Sequence, residues 1–277
     1  MKKIIIISAV FLFILTSLNI NAQDIISAKD LAVKMKDAKT VVICADKADK
    51  YAKVHIKGAI NIPYNSLNSS EFGKLKSSSD IAAILGNAGV SNTDLIVVYD
   101  EGKGKYAGRL YWVLKYMGAS NVKMLDGGYK AWYAARKPYS KTPTTLSAKT
   151  FTKSLKFAYY AKLEDVKSGN YVVVDVRSKE EFNGTSEKSQ GGHIPGAVNV
   201  PFDEVLNADG TFKSKSELAS IFNAAGVTSG KKVILYCKTS VRAGVVFLAL
   251  KSILAYPNVK VYDGALNEWV KTNKVEK

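Results

Sequence analysis

Cys237 ends an apolar run and is followed at once by hydroxyl-bearing and basic side chains, in the sequence ILYCKTSVRAG of residues 234–244. The chain has 2 cysteines, and this one lies close to Lys238 and Arg242 in the sequence, not among apolar residues only. A thiol acts as a nucleophile when it is deprotonated, and neighbouring cations favour the thiolate. These residue types at this spacing therefore predict a reactive cysteine.

The pattern around Cys237 predicts a buried strand, a short loop and then a helix in GVVFLALKSIL. In such a turn the backbone N–H groups point inward with the helix N-terminus behind them, which favours an anion. The helix terminus contributes only about 0.3 to 1 kcal/mol, so loop cations, N–H groups and hydroxyls are needed as well. The residues expected to bind the anion are Lys238, Thr239, Ser240, Val241 and Arg242, with Ala243 supporting them.

A second candidate for anion binding is the D-x-R sequence in VVVDVRSKEEF, where Asp175 and Arg177 end another predicted strand. Because the carboxyl ends of parallel strands meet at one sheet edge, we expect Arg177 to lie beside the cysteine loop, with Asp175 in support. Two alternatives stay open at this point. In the first alternative, Arg177 is a surface residue paired with Glu180 or Glu181. In the second, Cys237 only ends its strand as a small apolar residue.

The elements that must position these residues occur twice in the chain. HIKGAINIPYNSL, beginning at His55, recurs as HIPGAVNVPFDEVL, beginning at His193. The segment that ends in DLIVVYD at Asp100 recurs as the segment that ends in KKVILYC at Cys237, and NVKMLDGGYKAW recurs as NVKVYDGALNEW. Four shared blocks in the same order, counting the strand before each histidine, predict a tandem pair of one domain.

Each repeat alternates short β-branched runs with segments of helical periodicity that end at a glycine. This alternation predicts an α/β fold made of two similar domains, each a mostly parallel sheet covered by helices on both faces. The segment RKPYSKTPTTLSAKTFTKSL, residues 136–155, has no such periodicity and is expected to link the two domains.

The first residues, MKKIIIISAVFLFILTSLNINAQ, have the layout of a secretory signal peptide, with cleavage expected after Ala22. We therefore expect an exported, periplasmic protein with no membrane attachment after cleavage. The formal charge of +16 comes from 40 Lys and Arg against 24 Asp and Glu, and the lysines are scattered instead of clustered. With no nucleic-acid-binding motif in the chain, this charge indicates a basic surface and a bias toward small anionic substrates, not a nucleic-acid partner.

The combination of D-x-R, GHIPGAVNVPF, YCKTSVRA and VYDG resembles the rhodanese family of sulfurtransferases over nearly all of the predicted mature chain. The tandem layout is similar to that of the thiosulfate and 3-mercaptopyruvate sulfurtransferases. This resemblance implies that Cys237 accepts the sulfane sulfur of a small anionic donor as a persulfide and passes it to cyanide or another thiophilic acceptor. It also implies that Arg177, Arg242 and Lys238 bind the oxyanion end of the donor, and that no metal or organic cofactor is needed.

The first repeat lacks the chemical groups of the second. Asp100 stands at the position of Cys237, and Cys44 and Asp46 stand at the positions of Asp175 and Arg177. We expect Cys44 to be buried and inert, and the two histidines of the repeats to be structural. The predicted organisation is a signal peptide over residues 1–22, a catalytically silent domain over 23–135, a linker over 136–155 and a catalytic domain over 156–277.

The donor is less well determined than the reaction. In the resemblance, Lys238 favours thiosulfate, Thr239 stands where the 3-mercaptopyruvate type has a serine, and Glu181 stands where that type has an arginine. We therefore predict a thiosulfate sulfurtransferase, with 3-mercaptopyruvate sulfurtransferase or a non-enzymatic persulfide carrier as alternatives. A phosphatase is disfavoured because Arg242 follows Cys237 after four residues, which makes the loop one residue shorter than the C-x5-R loop of related folds.

Overall fold

The computed structural model describes residues 24–71, 73–187 and 189–277. The predicted signal peptide lies outside these residues. Within them, no helix combines the length and the apolar character that crossing a membrane requires. The two repeats fold into two α/β domains, which confirms the predicted fold class.

Domain 1 is built on a five-stranded parallel sheet in the order β1-β6-β5-β2-β4. The central strands are rich in Val and Ile because both faces of the sheet are covered. Its strands are β1 Ile25–Ile26, β2 Thr40–Cys44, β3 His55–Ile56, β4 Ile60–Asn61, β5 Leu95–Tyr99, β6 Val122–Leu125 and β7 Tyr139–Ser140, and its helices are α1 Ala28–Lys34, α2 Ala48–Lys53, α3 Ser78–Asn87, α4 Lys105–Met117 and α5 Gly128–Ala134.

Domain 2 repeats this architecture with a parallel sheet in the order β10-β9-β11-β12-β8. Read from the other edge, this order matches that of domain 1 strand for strand. Its strands are β8 Tyr160–Ala161, β9 Val172–Asp175, β10 Val198–Asn199, β11 Val233–Tyr236 and β12 Val259–Tyr262, and its helices are α6 Leu163–Lys167, α7 Lys179–Phe182, α8 Lys215–Ala224, α9 Ala243–Leu248 and α10 Ala265–Thr272.

The helix that follows the cysteine loop contains a π turn, Ala249–Ile253, directly after α9. Asp100 and Cys237 are 137 residues apart, the helical glycines Gly108 and Gly244 only 136, and the next strands again 137. Domain 2 therefore has one residue fewer in its loop and one more in its helix. A π turn accommodates a single extra residue without ending the helix, and such turns are frequent at functional sites.

The predicted linker is bound to domain 1 along most of its length. β7 pairs with β3, and the backbone N–H groups of Lys149 and Ser154 donate to carbonyls of Gly86 and Met117. Phe151 is buried in the core. The aperiodic sequence therefore forms an ordered strap, whose backbone polar groups are satisfied by the domain that it crosses.

The two domains meet where α4 and α9 cross, and the contact is close because each helix has a glycine there. A Cβ at Gly108 would lie 2.6 Å from the backbone nitrogen of Val245, and one at Gly244 would lie 2.1 Å from the carbonyl oxygen of Gly108. Each domain starts its helix from the loop at the carboxyl end of its central strand. The crossing therefore brings the Asp100 loop and the Cys237 loop close to the same interface.

Two further hydrogen bonds cross the interface in a reciprocal manner. The N–H of Leu75 in domain 1 donates to Asp263 in domain 2, and the N–H of Phe212 in domain 2 donates to Asp126 in domain 1. Leu75 and Phe212 occupy equivalent positions in the two repeats, as do Asp126 and Asp263. The duplicated sequence thus supplies both halves of a nearly symmetric interface.

Candidate active site

Cys237 lies at the carboxyl end of β11, with 1% of its surface exposed. The start of α10 holds the backbone of this residue: the N–H of Leu266 donates to the carbonyl of Cys237 at 3.0 Å, and the N–H of Asn267 donates to that of Lys238 at 3.2 Å. Ala265, at the first position of α10, has a φ of +53°, a left-handed conformation that L residues disfavour. The backbone of Cys237 is therefore held by a helix that begins with local backbone strain.

The loop that follows Cys237 presents its backbone N–H groups without protein acceptors. In the described ranges, the N–H groups of residues 238–242 donate to no carbonyl or side chain. Ser240 has a φ of +58°, and successive N–H groups in a turn of this kind form a concavity for an anion. Unpaired N–H groups around a buried sulfur are suited to a negatively charged ligand or intermediate.

Arg242 forms a bidentate ion pair with Glu181, at 2.5 and 2.9 Å between guanidinium nitrogens and carboxylate oxygens. Burial alone would lower the pKa of Arg242, but the bond to Glu181 and the charge of Cys237 raise it above its ordinary value. Burial would raise the pKa of Glu181, and the bond to Arg242 lowers it overall. Arg242 therefore carries a permanent charge close to Cys237, and much of that charge is neutralised by Glu181.

Arg177 is placed differently from the prediction. It is fully buried, and its guanidinium donates to both carboxylate oxygens of Asp175 and to the carbonyls of Ser189 and Gly192. Four of its five guanidinium N–H donors are bonded to the protein, so the structure does not place it where the prediction expected it to contact a donor anion. The alternative, a surface arginine paired with Glu180 or Glu181, is wrong, because Arg177 is buried and paired with Asp175. Asp175 and Arg177 instead form a fixed pair next to β11, since Asp175 is paired in register with Tyr236.

The remaining predicted residues are all in the loop, with different orientations. The hydroxyl of Ser240 is buried and donates to the carbonyl of Tyr262, so only its N–H group is available to a ligand, which corrects the expected role of its hydroxyl. Lys238, Thr239 and Val241 are half-buried, and Ala243 is buried in the first turn of α9. In the described ranges Lys238 makes no ion pair, so it is the loop cation that keeps its charge for a ligand.

Domain 1 shows what the same loop does with a carboxylate in place of the thiol. Asp100 accepts four backbone N–H bonds, from Gly102 and Gly104 to one oxygen and from Tyr106 and Ala107 to the other. The concavity is therefore filled by the protein's own anion. This arrangement fits the prediction that domain 1 carries no sulfur.

Cys44 is buried, as expected, and its thiol lies 3.8 Å from a carboxylate oxygen of Asp46. Burial and then the charge of Asp46 raise the pKa of Cys44 to about 12, so it stays a thiol at neutral pH. Burial and the charges of Asp100 and Glu101 raise the pKa of Asp46 to about 7. Both cysteines are free thiols.

The two histidines make contacts that support the structural interpretation. His55 bonds to the carbonyls of Tyr51 and Thr142, and its ring stacks on Tyr51. His193 bonds to the carbonyl of Phe182 and to Glu276, and stacks on Phe182. Among the described residues, no cluster of three or more His, Cys, Asp or Glu side chains is arranged to hold a metal ion.

Sequence reasoning missed the part of the site that crosses the domain interface. Asp263, directly after β12, forms a buried ion pair of 2.8 Å with Arg109 on α4 of domain 1. The recurrence of the aspartate at positions 126 and 263 was a signal available in the repeats. Arg109 has no equivalent in the second repeat, so no sequence pattern pointed to it.

Comparison with known proteins places this geometry in context. The profile of the rhodanese-like domain matches residues 14–135 and 160–272. A protein of Mycolicibacterium smegmatis, provisionally named a thiosulfate sulfurtransferase, is 32% identical, over 89% of this chain and 95% of its own length. The sulfur carrier protein TtuD of Thermus thermophilus is 32% identical over 70% of this chain and 74% of its own length.

Among solved structures, SseA of Escherichia coli, a 3-mercaptopyruvate sulfurtransferase with the rhodanese fold, superposes with a TM-score of 0.81. It is 30% identical in sequence, and the alignment covers 88% of this chain and 98% of SseA. The similarity extends over both domains, so the interface described above lies within the matched region.

Proposed function

The chain belongs to the rhodanese-like family as a tandem-domain sulfurtransferase, and from this premise we propose that it transfers the sulfane sulfur of thiosulfate to cyanide or another thiophilic acceptor through a persulfide on Cys237. The observation that carries the proposal is the loop of residues 238–242, which follows the end of β11 and whose N–H groups have no acceptor among the residues that the structure describes. In domain 1 the equivalent N–H groups are occupied by Asp100. Replacing the carboxylate by a thiol leaves the concavity open for an anion carried by sulfur.

In the first half-reaction, the thiolate of Cys237 attacks the outer sulfur of thiosulfate. A bond forms between the two sulfur atoms, the bond from the outer sulfur to the sulfonate sulfur breaks, and sulfite leaves with the electron pair. The negative charge of the resulting persulfide lies on its terminal sulfur. Backbone N–H groups that point at this position stabilise the charge where it develops.

In the second half-reaction, an acceptor such as cyanide attacks the terminal sulfur of the persulfide. The new carbon–sulfur bond forms as the sulfur–sulfur bond breaks, thiocyanate leaves, and the thiolate of Cys237 is regenerated. The guanidinium of Arg242 lies close to the sulfur in both halves of the cycle, and the bond to Glu181 neutralises much of its charge. The cycle needs no redox cofactor, because one nucleophile replaces another at sulfur.

The choice of thiosulfate as donor rests on the distribution of charge around the loop. Arg177 is neutralised by Asp175, and Arg242 is paired with Glu181. Lys238 is left as the half-buried cation beside Cys237, and we assign it the oxyanion end of the donor. Thr239, whose side chain lies beside Gly73 of domain 1, borders the same space.

A second donor, 3-mercaptopyruvate, is favoured by the similarity to SseA. Its single carboxylate also matches Lys238, the loop cation that makes no ion pair in the described ranges. The similarity to TtuD supports a third role, in which Cys237 receives sulfur and hands it to a partner without turnover of a small acceptor. All three roles pass through the same persulfide. They differ in which donor loads it and which acceptor unloads it.

The test is to incubate the purified protein with thiosulfate and measure its intact mass and its peptide masses. We expect the addition of one sulfur atom on the peptide that contains Cys237, and no addition in Cys237→Ser. Cys44→Ser is the matched control, because it removes the other thiol and should load normally. An adduct on Cys44, or none at all, would contradict the proposal.

A paired assay then separates the three roles. Thiosulfate and 3-mercaptopyruvate are supplied in turn as donors with cyanide as acceptor, and thiocyanate is measured. Turnover with thiosulfate exceeding that with 3-mercaptopyruvate supports the proposed donor, and the reverse order identifies the alternative. Loading of Cys237 without thiocyanate formation from either donor identifies a carrier.

Export to the periplasm is part of the proposal and rests on the composition of residues 1–22. Fractionation of cells that produce the full chain, followed by N-terminal sequencing, tests it. We expect mature protein in the periplasmic fraction beginning at Gln23. Full-length protein in the cytoplasm would contradict this assignment.

A further inference from the structure

A buried ion pair joins the silent domain to the segment that carries the Cys237 loop. Arg109 on α4 lies 2.8 Å from Asp263, and the side chains of both residues are 1% exposed. The guanidinium also donates to the side-chain oxygen of Asn68 at 3.1 Å and lies over the ring of Trp112. Arg109 is thus held on the domain 1 side and reaches into domain 2 at one point.

Asp263 belongs to a short segment that is hydrogen-bonded to the Cys237 loop. The carbonyl of Tyr262 accepts the hydroxyl of Ser240, and the N–H groups of Leu266 and Asn267 hold the carbonyls of Cys237 and Lys238. These are three hydrogen bonds from residues 262–267 to residues 237–240. The position of this segment therefore determines the position of the Cys237 sulfur and the loop N–H groups.

The conformation of this segment is not one that the chain adopts by local preference. Ala265 has a φ of +53°, and Ser240, at the other end of one of the hydrogen bonds, has a φ of +58°. Strained backbone of this kind persists only where surrounding contacts hold it. Asp263 provides such contacts, because one oxygen accepts the N–H of Leu75 and the other faces Arg109.

Stability alone does not account for this ion pair. The Nε and Nη1 atoms of Arg109 and the hydroxyl of Tyr262 are buried without hydrogen-bond partners among the described residues, and the Asp263 oxygen that faces Nη2 of Arg109 makes no other bond there. Buried ion pairs with incompletely satisfied groups are often no more stabilising than apolar residues of the same size. Domain 1 offers the comparison, because Asp126 accepts the equivalent N–H bond from Phe212, while Val245 stands at the helical position that corresponds to Arg109.

We propose that Arg109 of the silent domain is a positioning residue for sulfur transfer, which fixes the Cys237 loop through Asp263. This inference rests on the proposed function and assigns domain 1 a specific part in it. In domain 2, the ion pair of Asp263 with Arg109 holds residues 262–267. These residues in turn hold Cys237 and the N–H groups that receive the persulfide. The silent domain thus contributes a guanidinium that the catalytic domain does not contain at this place.

The test compares variants on the two sides of the interface. Arg109→Lys keeps the positive charge but not the planar, two-pronged geometry of the guanidinium. Arg109→Met combined with Asp263→Asn removes both charges, so that no buried charge is left unpaired if the single variant fails to fold. Asp126→Asn is the matched control on the silent side, since its oxygen can still accept the N–H of Phe212.

The measurement is the rate at which excess thiosulfate loads Cys237 in a single turnover, as a function of donor concentration, together with the melting temperature. We expect both Arg109 variants to lower the limiting rate by about 10- to 100-fold while the half-saturating concentration changes by less than about 2-fold, because small displacements of a reacting group have effects of this size. Asp126→Asn should leave the limiting rate within about 2-fold.

Limiting rates within about 2-fold of the parent in both Arg109 variants would overturn the inference. So would a loss in Asp126→Asn as large as theirs, because the interface would then act through stability only. If the parent protein does not load Cys237 at all, the proposed function fails, and the loop is followed instead by the alkylation rate of Cys237 with iodoacetamide. A changed alkylation rate in the Arg109 variants then supports positioning independently, and an unchanged rate contradicts it.

Discussion

The loops at the ends of β5 and β11 are built alike and are occupied differently. In domain 1 the strand ends in Asp100, whose carboxylate accepts four N–H groups of its own loop. In domain 2 the strand ends in Cys237, and the N–H groups of residues 238–242 have no acceptor in the described ranges. A carboxylate at the strand end, together with a loop one residue longer, accompanies the satisfied N–H groups of domain 1, and a thiol with a shorter loop accompanies the open N–H groups of domain 2.

This difference suits the proposed division of roles between the two domains. Four hydrogen bonds to a carboxylate satisfy N–H groups of the Asp100 loop within domain 1. Unsatisfied N–H groups are a cost to the folded state, and such costs are found where a ligand or intermediate satisfies them. We therefore expect a carboxylate at position 237 to stabilise the protein and abolish sulfur loading, and the loss of the carboxylate at position 100 to destabilise it.

The largest expected effect comes from Cys237→Asp, which copies the silent loop into the catalytic domain. Sulfur loading should be abolished, because a carboxylate forms no persulfide. The variant should also be more stable by about 1 to 3 kcal/mol, because hydrogen bonds to a charged acceptor replace unpaired N–H groups. Mass spectrometry after exposure to thiosulfate and thermal unfolding measure the two effects.

Cys237→Ser is the reference for that comparison, since it removes the thiol without supplying a carboxylate. It should be equally inactive and close to the parent protein in melting temperature. A melting temperature of Cys237→Asp below that of Cys237→Ser would show that the loop of domain 2, one residue shorter, cannot enclose a carboxylate. The equivalence of the two loops would then be wrong.

A change in the domain 1 loop, Asp100→Asn, should lower the free energy of unfolding and leave the rate of sulfur loading nearly unchanged. The amide NH2 group would face two of the four N–H donors, and each buried group left unsatisfied costs about 1 to 3 kcal/mol, so we expect a loss of about 2 to 6 kcal/mol. Urea unfolding measures this loss. The limiting rate of Cys237 loading in the folded protein should stay within about 2-fold, and a much larger fall would show that the Asp100 loop takes part in catalysis.

A pH dependence of stability between about pH 4 and 7 should arise in domain 1 from Asp46. Its pKa of about 7 lies above the ordinary 3.8, so the folded protein keeps a proton that the unfolded chain releases. Stability should therefore fall as the pH rises from about 4 to about 7 and stay level above, by up to about 4 kcal/mol in total. Asp46→Asn should remove this fall and stabilise the protein at pH 8, as unfolding at several pH values would show. An unchanged pH profile would contradict the assignment.

The sequence predicted the features that are local or periodic. The alternation of strands and helices and the place of Cys237 after a buried strand follow from patterns within about 20 residues, which short-range periodicity captures. The repeat follows from matching sequence blocks that recur about 137 residues apart. The side-chain partners did not follow. Arg177 is bound by carbonyls at residues 189 and 192, Arg242 by Glu181 and Arg109 by Asp263. The contacts of Arg242 and Arg109 join distant parts of the chain, and those of Arg177 are made by a loop without periodicity, so none of them leaves a periodic signal.

A more modest effect is expected from Glu181→Gln, which tests the charge balance of the catalytic loop. Without the carboxylate, the charge of Arg242 becomes available to an anionic donor, and the half-saturating thiosulfate concentration should fall by about 3- to 10-fold, with stronger salt dependence. Glu180→Gln is the matched control, because Glu180 is the neighbouring carboxylate and makes no bond to Arg242. A rise in the half-saturating concentration would mean that Glu181 holds Arg242 in its productive orientation, and that this matters more than its charge.

The smallest effect should come from Ala265→Gly, at the start of α10. Domain 1 has Gly128 at the equivalent position, with a φ of +58°, and Ala265 has a φ of +53°. A left-handed conformation costs an L residue about 1 to 2 kcal/mol, which glycine avoids. Glycine in turn costs about 0.5 to 1 kcal/mol, because the unfolded chain loses more conformational freedom at glycine when it folds. Ala265→Gly should therefore stabilise the protein by about 0.5 to 1 kcal/mol in urea unfolding.

The reverse change in domain 1, Gly128→Ala, should cost more than Ala265→Gly gains. A Cβ at Gly128 would lie 2.5 Å from the carbonyl oxygen of Asp100, so the contact adds to the backbone strain. If the two changes were equal and opposite, strain alone would distinguish the domains at this turn. An asymmetric result would show that domain 2 has more space than domain 1 beside the backbone carbonyl at its strand end, where it accommodates the Cβ of Ala265.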